Sequence, residues 1–421
     1  MKLQLSILQI IIFLSAIANA QVTKQITLVN PSSIWRKDEL IVLKRSELKR
    51  VLGSNVNFIS VKSTGKDVPV QYDDLTGDGE WDEVALLYSF GPREQVRLKV
   101  SASNNPANNT HVIQRAHVRL KKKTADDSWG ANITREEMPF QNPATDFSKQ
   151  PLPLYLTEGP AWENDKVGFR LYFDVRNGKD IWGKRTSRMV MDSVGTKVEP
   201  TYHDLHEWGM DVLHVGKSLG AGALALLIPQ ANGKDTLLRV GGDAVVKTNY
   251  KQIADGPVRV IFEIDYDLKI NNRIIHVAEQ TTVWGGQYFY ESKVFVSGAP
   301  YNTRLVSGIA SFYDNVFRSF SHSNYSVLLS HGKQSENKDY LGMAILVPDN
   351  KASFFGSSPN ENSDIMNTYI AAMNVRERAA CVFRFYAAWE KTDPKFASIN
   401  FFSDMLAAET EKMDHPIQII F

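Results

Sequence analysis

Short runs of alternating apolar and polar residues dominate this chain and decide its fold class. In "VGFRLYFDVR" (residues 167–176) the two kinds of side chain alternate, and comparable runs recur between glycine, asparagine and proline turns. A period of two places alternate side chains on opposite faces of a strand. Helical patterns are confined to "RSELKRVL" and, near the C-terminus, "NFFSDMLAAETEK". The sequence therefore predicts a mainly β protein, built from antiparallel sheets with few helices.

Residues 1–20 predict a secretory signal peptide. Lys2 precedes the apolar run "LSILQIIIFLSAI", and Ala18 and Ala20 occupy the small-residue positions before Gln21. No later stretch reaches the roughly 20 apolar residues of a membrane helix, so we expect no membrane insertion. Cys381 is the single cysteine, which allows no disulfide within the chain. We expect an exported protein, periplasmic or secreted, and the lack of disulfides favours a bacterial periplasm.

The strand-like runs of the mature chain fall into two groups. We predict an N-terminal β unit over residues 21–104, a linker with loops over 105–160, and a large β-sandwich domain over 161–421. The formal net charge is +1, with lysine and arginine dispersed along the chain. This distribution gives no basic patch for nucleic acid, so no nucleic-acid partner is expected.

The stretch "YDDLTGDGEWDEVALL" (residues 72–87) carries oxygen-bearing side chains at alternate positions around a glycine. Strands flank it, and Ala85 stands where an EF-hand requires glutamate, so it is not an EF-hand. Two alternatives stay open, a structural calcium site or a metal-free hairpin turn rich in Asp and Gly. Neither would be the active site. The predicted calcium ligands are Asp74, Thr76, Asp78, Glu80 through its carbonyl, and Asp82.

Two strands present hydrogen-bonding side chains along one face. In "VGFRLYFDVR" these are Arg170, Tyr172, Asp174 and Arg176, and in "VFRFYAAWE" they are Arg384 and Tyr386. Such rows can line a sugar-binding groove, or they can be a solvated sheet face with cross-strand ion pairs.

Residues 180–217 hold the densest set of reactive side chains. Three histidines lie within twelve positions, but their spacing matches no zinc motif. "YHDLHEW" lacks strand alternation and is predicted as a loop, where functional groups concentrate. His203 is the best candidate for an acid or base. The other candidates in this region are Lys184, Arg185, Tyr202 and Trp208.

Several stretches resemble the DUF4861 family of exported Bacteroidetes proteins encoded in polysaccharide-utilisation loci. They are "VQYDDLTGDGEWDEVALL", "VGFRLYFDVRNGKDIWGK", "YHDLHEWGMDVLHVGKSLGAGALAL", "GPVRVIFEIDY" and "FYAAWE". The resemblance extends over nearly the whole mature chain, and the Gly-Pro-Val-Arg strand is also similar to galactose-mutarotase-like β-supersandwiches. It implies carbohydrate-active chemistry on uronate-containing oligosaccharides, such as fragments of ulvan or pectin. The site residues are not implied by the family and rest on side-chain chemistry.

Three functional hypotheses follow. The first is a lyase or dehydratase that forms an unsaturated uronyl product by β-elimination. In it His203 is the base, Tyr202 or Tyr172 is the acid, and Arg170, Lys184 or Arg185 is the cation. The remaining predicted substrate-binding residues are Asp174, Trp208, Arg384 and Tyr386.

The second hypothesis is a glycoside hydrolase with two carboxylates, and the third is a non-catalytic glycan-binding protein. The available carboxylates are Glu158, Glu163, Asp174, Glu207 and Asp211. No serine or cysteine nucleophile motif is present, and no catalytic cofactor is expected. The identity of the glycan and the oligomeric state stay open.

Overall fold

A computed structural model describes residues 22–54, 56–106, 112–270, 272–313, 316–359 and 363–421. The predicted signal peptide lies outside these residues. The described chain contains 27 β-strands and two α-helices, and every named strand pairing is antiparallel, which confirms the predicted mainly β class. No described helix has both the length and the apolar character needed to span a bilayer.

Seven strands and one helix form the N-terminal part of the chain. They are β1 (Thr23–Val29), β2 (Arg36–Lys44), α1 (Arg45–Leu52), β3 (Phe58–Ser63), β4 (Lys66–Asp67), β5 (Gln71–Asp73), β6 (Glu83–Phe90) and β7 (Gln95–Ser103). The next six strands are β8 (Ala116–Arg119), β9 (Arg135–Glu137), β10 (Ala161–Asn164), β11 (Val167–Leu171), β12 (Lys179–Lys184) and β13 (Gly209–Asp211).

The remaining strands are longer on average. They are β14 (Ala221–Pro229), β15 (Asp235–Arg239), β16 (Val245–Asp255), β17 (Arg259–Ile270), β18 (Arg273–Trp284), β19 (Phe289–Ser297), β20 (Arg304–Ala310), β21 (Arg318–His322), β22 (Tyr325–Gly332), β23 (Leu341–Pro348), β24 (Ala352–Ser357), β25 (Thr368–Asn374) and β26 (Cys381–Trp389). Helix α2 (Ile399–Asp414) and strand β27 (Gln418–Ile420) complete the chain.

Two sheets share the core of the N-terminal unit. One has the order β27-β1-β7-β3-β4 and the other the order β2-β6-β5. Alternate residues such as Ile26 and Leu28 of β1 and Ile41 and Leu43 of β2 are buried in one common cluster. The structure differs from the predicted boundaries here, because β27 at the C-terminus pairs with β1 and belongs to this unit.

The larger unit is a sandwich built on a nine-stranded sheet, with the order β21-β22-β23-β26-β19-β18-β17-β16-β9. Two five-stranded sheets, β13-β12-β11-β10-β8 and β15-β14-β20-β25-β24, share its core. Phe169, Leu226 and Phe262, one from each sheet, are buried in this core. The segment 105–160 differs from the predicted linker, because it contributes β8 and β9 to two of these sheets.

Buried polar contacts join the two units. Arg259 at the start of β17 donates from Nε to Asp73 Oδ2 at 2.6 Å and from Nη2 to Glu83 Oε2 at 2.8 Å. Gln71 Oε1 accepts the backbone N–H groups of Val258 and Arg259 at 2.9 and 3.0 Å. The N-terminal unit is therefore held against the sandwich by specific hydrogen bonds.

Candidate functional site

The outer face of the sheet β13-β12-β11-β10-β8 carries an unusual set of buried charges. Arg170 of β11 lies opposite Asp180 of β12, and Trp182 lies opposite Asp211 of β13. Direct partners in an antiparallel pair share a face, and so do residues two apart on one strand. All four side chains therefore point away from the sandwich core, which the intervening residues Phe169, Ile181 and Met210 fill.

Arg170 is the centre of this set and is only 2% exposed. It donates from Nε and Nη2 to Asp180 Oδ2 at 3.1 and 2.7 Å, and from Nη2 to Asp211 Oδ2 at 2.7 Å. Tyr172 OH donates to Asp180 Oδ2 at 2.7 Å, and Tyr202 OH accepts from Arg170 Nη1 at 3.3 Å. Together with Glu158, whose Oε2 is 3.6 Å from Arg170 Nη1, these residues are called the Arg170 cluster below.

Burial controls the protonation of this cluster. Burial raises the pKa of Asp211 well above its ordinary value, and the negative charge of Asp180 raises it further, against the opposing effect of Arg170. Burial likewise raises the pKa of Tyr202, which stays protonated at neutral pH. The cluster therefore holds a proton on the phenol of Tyr202.

His203 lies where the Arg170 cluster meets solvent. Its Nδ1 is 3.5 Å from Asp211 Oδ2, its side chain is 60% exposed, and its ring centroid is 4.5 Å from that of Tyr202. Partial burial lowers the pKa of the imidazole, and the positive charge of Arg170 lowers it further. His203 is consequently neutral at pH 7 and has a nitrogen able to accept a proton.

Strained backbone fixes the opposite side of the cluster. Thr157 and Glu158 have φ values of 49° and 67°, in the left-handed region. Such conformations persist where surrounding contacts impose them, and they concentrate at functional sites. Here Glu158 Oε1 accepts from Arg176 Nη2 at 2.6 Å, and Arg176 Cζ lies 4.1 Å from the centroid of the Tyr172 ring.

The segment between β12 and β13, residues 185–208, covers this face and supplies Tyr202 and His203. The segment rejoins the sheet at Gly209, the first residue of β13. The φ of Gly209 is 133°, and a Cβ there would lie 1.7 Å from the carbonyl oxygen of Gly183, so the position requires glycine. A cavity of about 270 Å³ opens beside the segment and is lined in part by Tyr202, His206 and Trp208. Two predicted residues, Tyr202 and Trp208, thus border an open space next to the Arg170 cluster.

Three other predicted residues are engaged elsewhere. Lys184 is fully buried, is paired with the carboxylate of Glu163, and donates to the carbonyl of Asn164 at 2.6 Å. Arg185 is exposed and donates to the carbonyl of His206 at 3.1 Å. Asp174 accepts from Arg176 Nη2 at 2.5 Å and reaches the Arg170 cluster only through that arginine. Lys184 is therefore not placed to contact a substrate.

The second predicted row, Arg384 and Tyr386 of β26, lies on the outer face of the nine-stranded sheet. Arg384 Nε donates to Glu291 Oε2 at 3.0 Å, and Tyr386 OH donates to Glu409 Oε2 of α2 at 3.1 Å. The two Arg-Tyr rows therefore do not share a groove, and their roles in substrate binding stay predictions. The rows occupy opposite outer faces of the sandwich, and α2 packs over the second one.

The Asp-rich loop satisfies its carboxylates with its own backbone. Asp74 accepts from the N–H groups of Gly77 at 2.6 Å and Gly79 at 2.7 Å. The remaining predicted ligands also have local partners. Thr76 Oγ1 donates to Asp74 Oδ1, Asp78 Oδ1 accepts from the N–H of Glu80, Glu80 pairs with Arg45, and Asp82 Oδ2 accepts from the N–H of Leu75.

No group of three or more His, Cys, Asp or Glu side chains with the geometry of a metal site occurs in the part of the chain that the structure describes. The calcium site stays a prediction.

Of the carboxylates considered for hydrolysis, Glu158 and Asp211 belong to the Arg170 cluster. Glu163 is buried with Lys184, Asp174 binds Arg176, and Glu207 is exposed. Sequence reasoning missed Asp180, although it lies on the same face of β12 as Trp182 and Lys184. Arg176 was recognised in the row of "VGFRLYFDVR" but was not predicted as a substrate-binding residue.

The DUF4861 family, described as a domain of unknown function, matches residues 28–419. The chain belongs to this family. The resemblance seen in the sequence is therefore confirmed. An uncharacterized protein, P7, from Formosa agariphila is 24% identical over 281 residues, which are 62% of this chain and 67% of that protein.

Two solved structures from Enterococcus faecalis are similar to the chain as a whole. An alpha-mannosidase from strain V583 has a TM-score of 0.49 at 10% identity, over 94% of this chain and 46% of that one. A protein in glycosyl hydrolase family 38 has a TM-score of 0.50 at 9% identity, over 94% of this chain and 47% of that one. The chain spans about half the length of these structures, and the second likeness is one of fold.

Proposed function

We propose that this protein is a carbohydrate-active enzyme that acts on uronate-containing oligosaccharides by β-elimination and releases an unsaturated uronyl product. The observation that carries the proposal is the neutral, half-exposed His203 with Nδ1 3.5 Å from Asp211, at the solvent side of the Arg170 cluster. The fold shared with a family 38 glycosyl hydrolase supports the carbohydrate class.

His203 supplies the base in this proposal. Its Nδ1 faces Asp211, so Nε2 is the nitrogen that takes the proton from C5 of the uronate. The negative charges of Asp180 and Glu158 act to raise the pKa of the imidazole and so favour the imidazolium formed there. A base with a pKa near the working pH gives efficient proton transfer.

Tyr202 supplies the acid. Burial raises the pKa of its phenol, so the hydroxyl keeps its proton until the departing oxygen becomes basic. Tyr172 is less suited, because its hydroxyl already donates to Asp180 and the residue is buried. The adjacent rings of Tyr202 and His203 place acid and base together.

A glycoside hydrolase is the second candidate, favoured by the raised pKa of Asp211 and by the shared fold. Asp180 and Asp211 both accept from Arg170 Nη2 at 2.7 Å. They are therefore too close for the water that an inverting glycosidase holds between its carboxylates. Both are also buried, which favours a positioning role for the pair.

The test is incubation with a panel of uronate oligosaccharides, with detection of the conjugated product by ultraviolet absorbance. We expect His203→Ala to reduce product formation by a factor of about 10² to 10⁴ with the fold intact, as for loss of a general base. His276→Ala is the matched control, because His276 is also 60% exposed and also binds an aspartate, Asp267, through Nδ1. A folded His203→Ala protein with the wild-type rate would contradict the mechanism, and new reducing ends without absorbance would favour the hydrolase.

A further inference from the structure

Elimination from a uronate requires a cation that the Arg170 cluster does not offer to a substrate. Removal of the C5 proton builds negative charge on the carboxylate, and a positive group in contact with it lowers the barrier. Arg170 directs Nε and Nη2 to Asp180 and Asp211 and is almost fully buried. Lys184 is paired with Glu163. Arg185, the third predicted cation, donates to the carbonyl of His206. We therefore expect a further cation near His203.

The turn between β22 and β23 approaches the C-terminal end of β13, where Asp211 lies. The N–H of Glu336 donates to the carbonyl of Val212, the residue after Asp211, at 2.9 Å. Glu336 Oε1 lies 3.0 Å from His214 Nδ1 and accepts from Tyr313 OH at 3.3 Å. The turn is therefore fixed directly to the strand that carries Asp211. Its proximity to His203 is also electrostatic, because Glu336 raises the pKa of that imidazole against the larger lowering effect of burial.

Lys338 occupies the exposed tip of this turn. Its φ is 63°, a left-handed conformation that costs energy in a residue other than glycine. Its Nζ lies 4.1 Å from the centroid of the Tyr313 ring, within the range of a cation–π contact. Tyr313 is itself 43% exposed. A strained lysine and an exposed aromatic ring thus stand together beside the strand that leads from Asp211.

We propose that His214, Tyr313, Glu336 and Lys338 form a substrate subsite for an acidic sugar. In this subsite, called the Lys338 subsite, the ammonium group binds the carboxylate of the sugar and the Tyr313 ring packs against the pyranose. Glu336 positions Tyr313 and His214 through its contacts to both, and the Tyr313 ring in turn contacts the Lys338 ammonium group. The inference rests on the proposed uronate class of substrate and assigns its recognition to residues outside the Arg170 cluster.

The subsite is tested by binding rather than by turnover. Calorimetric titration in a His203→Ala background uses a uronate oligosaccharide and the same oligosaccharide with its carboxyl groups reduced. We expect Lys338→Ala to weaken binding of the uronate about tenfold, which corresponds to about 1.4 kcal/mol, and to leave the reduced form unaffected. We expect Tyr313→Ala to weaken both.

Lys293→Ala is the matched control, because Lys293 is exposed and its Nζ lies 5.3 Å from the Phe295 ring on the nine-stranded sheet. Equal affinities of the Lys338→Ala and Lys293→Ala proteins for the uronate would overturn the subsite. Lys338-dependent binding without any unsaturated product would support the subsite and contradict the elimination. If Lys338→Ala keeps the wild-type KM while the activity still depends on His203, the elimination is supported and the subsite is contradicted. Failure of the parent protein to bind any uronate oligosaccharide would overturn both.

Discussion

The side chains of His203 and Asp211 lie close together in space, and burial shifts their pKa values in opposite directions. Burial lowers the pKa of the imidazole and raises that of the carboxyl group, because it disfavours the charged form of each. The two shifts move the two pKa values toward each other. The covering segment 185–208 contributes to the burial that causes both shifts.

This protonation pattern predicts the pH dependence of the activity. His203 must be neutral to act as a base, and its pKa lies below the ordinary value of about 6.5. We therefore expect kcat/KM to rise with pH through an apparent pKa below about 6.5 and to be level at neutral pH. The rise of kcat/KM at low pH, the acid limb of the profile, should be unchanged in His276→Ala. It should be absent from the residual activity of His203→Gln. An acid limb centred above pH 7 would contradict the assignment of His203 as base.

Strand alternation correctly places Arg170 and Tyr172 on one face, but it does not show what covers them. The pairing of Arg170 with Asp180 depends on the hairpin register. That register is set by the connection from Tyr172 to Gly178, which joins the two strands. The burial of Lys184 could not be predicted from its strand either. It depends on the ion pair with Glu163, and Glu163 also accepts the N–H groups of Val190 and Met191. Contacts across such sequence distances cannot be derived from a local pattern.

At the scale of elements, the charged side chain of His117 binds the segment 185–208, which carries His203. His117 of β8 lies 3.1 Å from Asp192 of that segment and 3.2 Å from Asp255 of β16. Burial alone would lower the pKa of His117, but the hydrogen bonds to the two aspartates raise it to about 9. The charged form thus links two sheets to the segment 185–208.

The raised pKa predicts a loss of stability in mild alkali. A histidine whose pKa is raised by folding stabilises the native state fully below its unfolded pKa of about 6.5. That contribution declines above this value and is lost as pH rises through about 9. We expect the melting temperature to fall between these pH values in the wild-type protein, and to fall less in His117→Asn. Parallel pH profiles for the two proteins would show that His117 does not contribute this stability.

The Asp-rich loop between β5 and β6 allows a separate test. Asp74 accepts backbone N–H groups of Gly77, Asp78 and Gly79, and these hydrogen bonds lower the pKa of its carboxyl group. We expect Asp74→Ala to lower the melting temperature, whereas Asp67→Ala, at an exposed position paired with Lys62, should have little effect.

The predicted calcium site adds a second outcome in the same assay. If the loop binds calcium, a chelator lowers the melting temperature of the wild-type protein but not that of Asp74→Ala, since a metal stabilises only the state that binds it. A melting temperature that responds to neither calcium nor chelator would contradict the calcium site and leave a hydrogen-bonded turn.

At the scale of the whole molecule, the sequence separates an N-terminal β unit from a larger one but misses short strands at the edges of their sheets. The two largest buried clusters lie one in each β unit, and three smaller clusters accompany them. Strands β9 and β27 were missed because each has three residues and no buried side chain, so neither has an apolar period. Their pairing partners lie far away in sequence. Strand β8 was missed as well, since four residues surrounded by loops give a weak pattern.

Arg259 is the contact through which the two units are expected to stabilise each other. It is buried between Asp73, which is also buried, and Glu83. Removing one partner of a buried ion pair leaves an uncompensated charge and typically costs about 3–5 kcal/mol. We expect Arg259→Ala to lower the free energy of unfolding by about this amount and to separate the unfolding transitions of the two units in chemical denaturation.

A control and a double variant distinguish this ion pair from a general loss of charge. Arg97→Ala removes an exposed arginine of β7 and should change the free energy of unfolding by no more than about 0.5 kcal/mol. Asp73→Asn combined with Arg259→Ala removes the buried charge that Arg259→Ala alone leaves on Asp73, so its cost should be smaller than the sum of the two single costs. Additive costs, or an Arg259→Ala protein as stable as Arg97→Ala, would mean that the N-terminal unit is held to the sandwich by other contacts. Gln71 would then be the first to test, because its side chain binds the backbone on both sides of the Val258–Arg259 peptide bond.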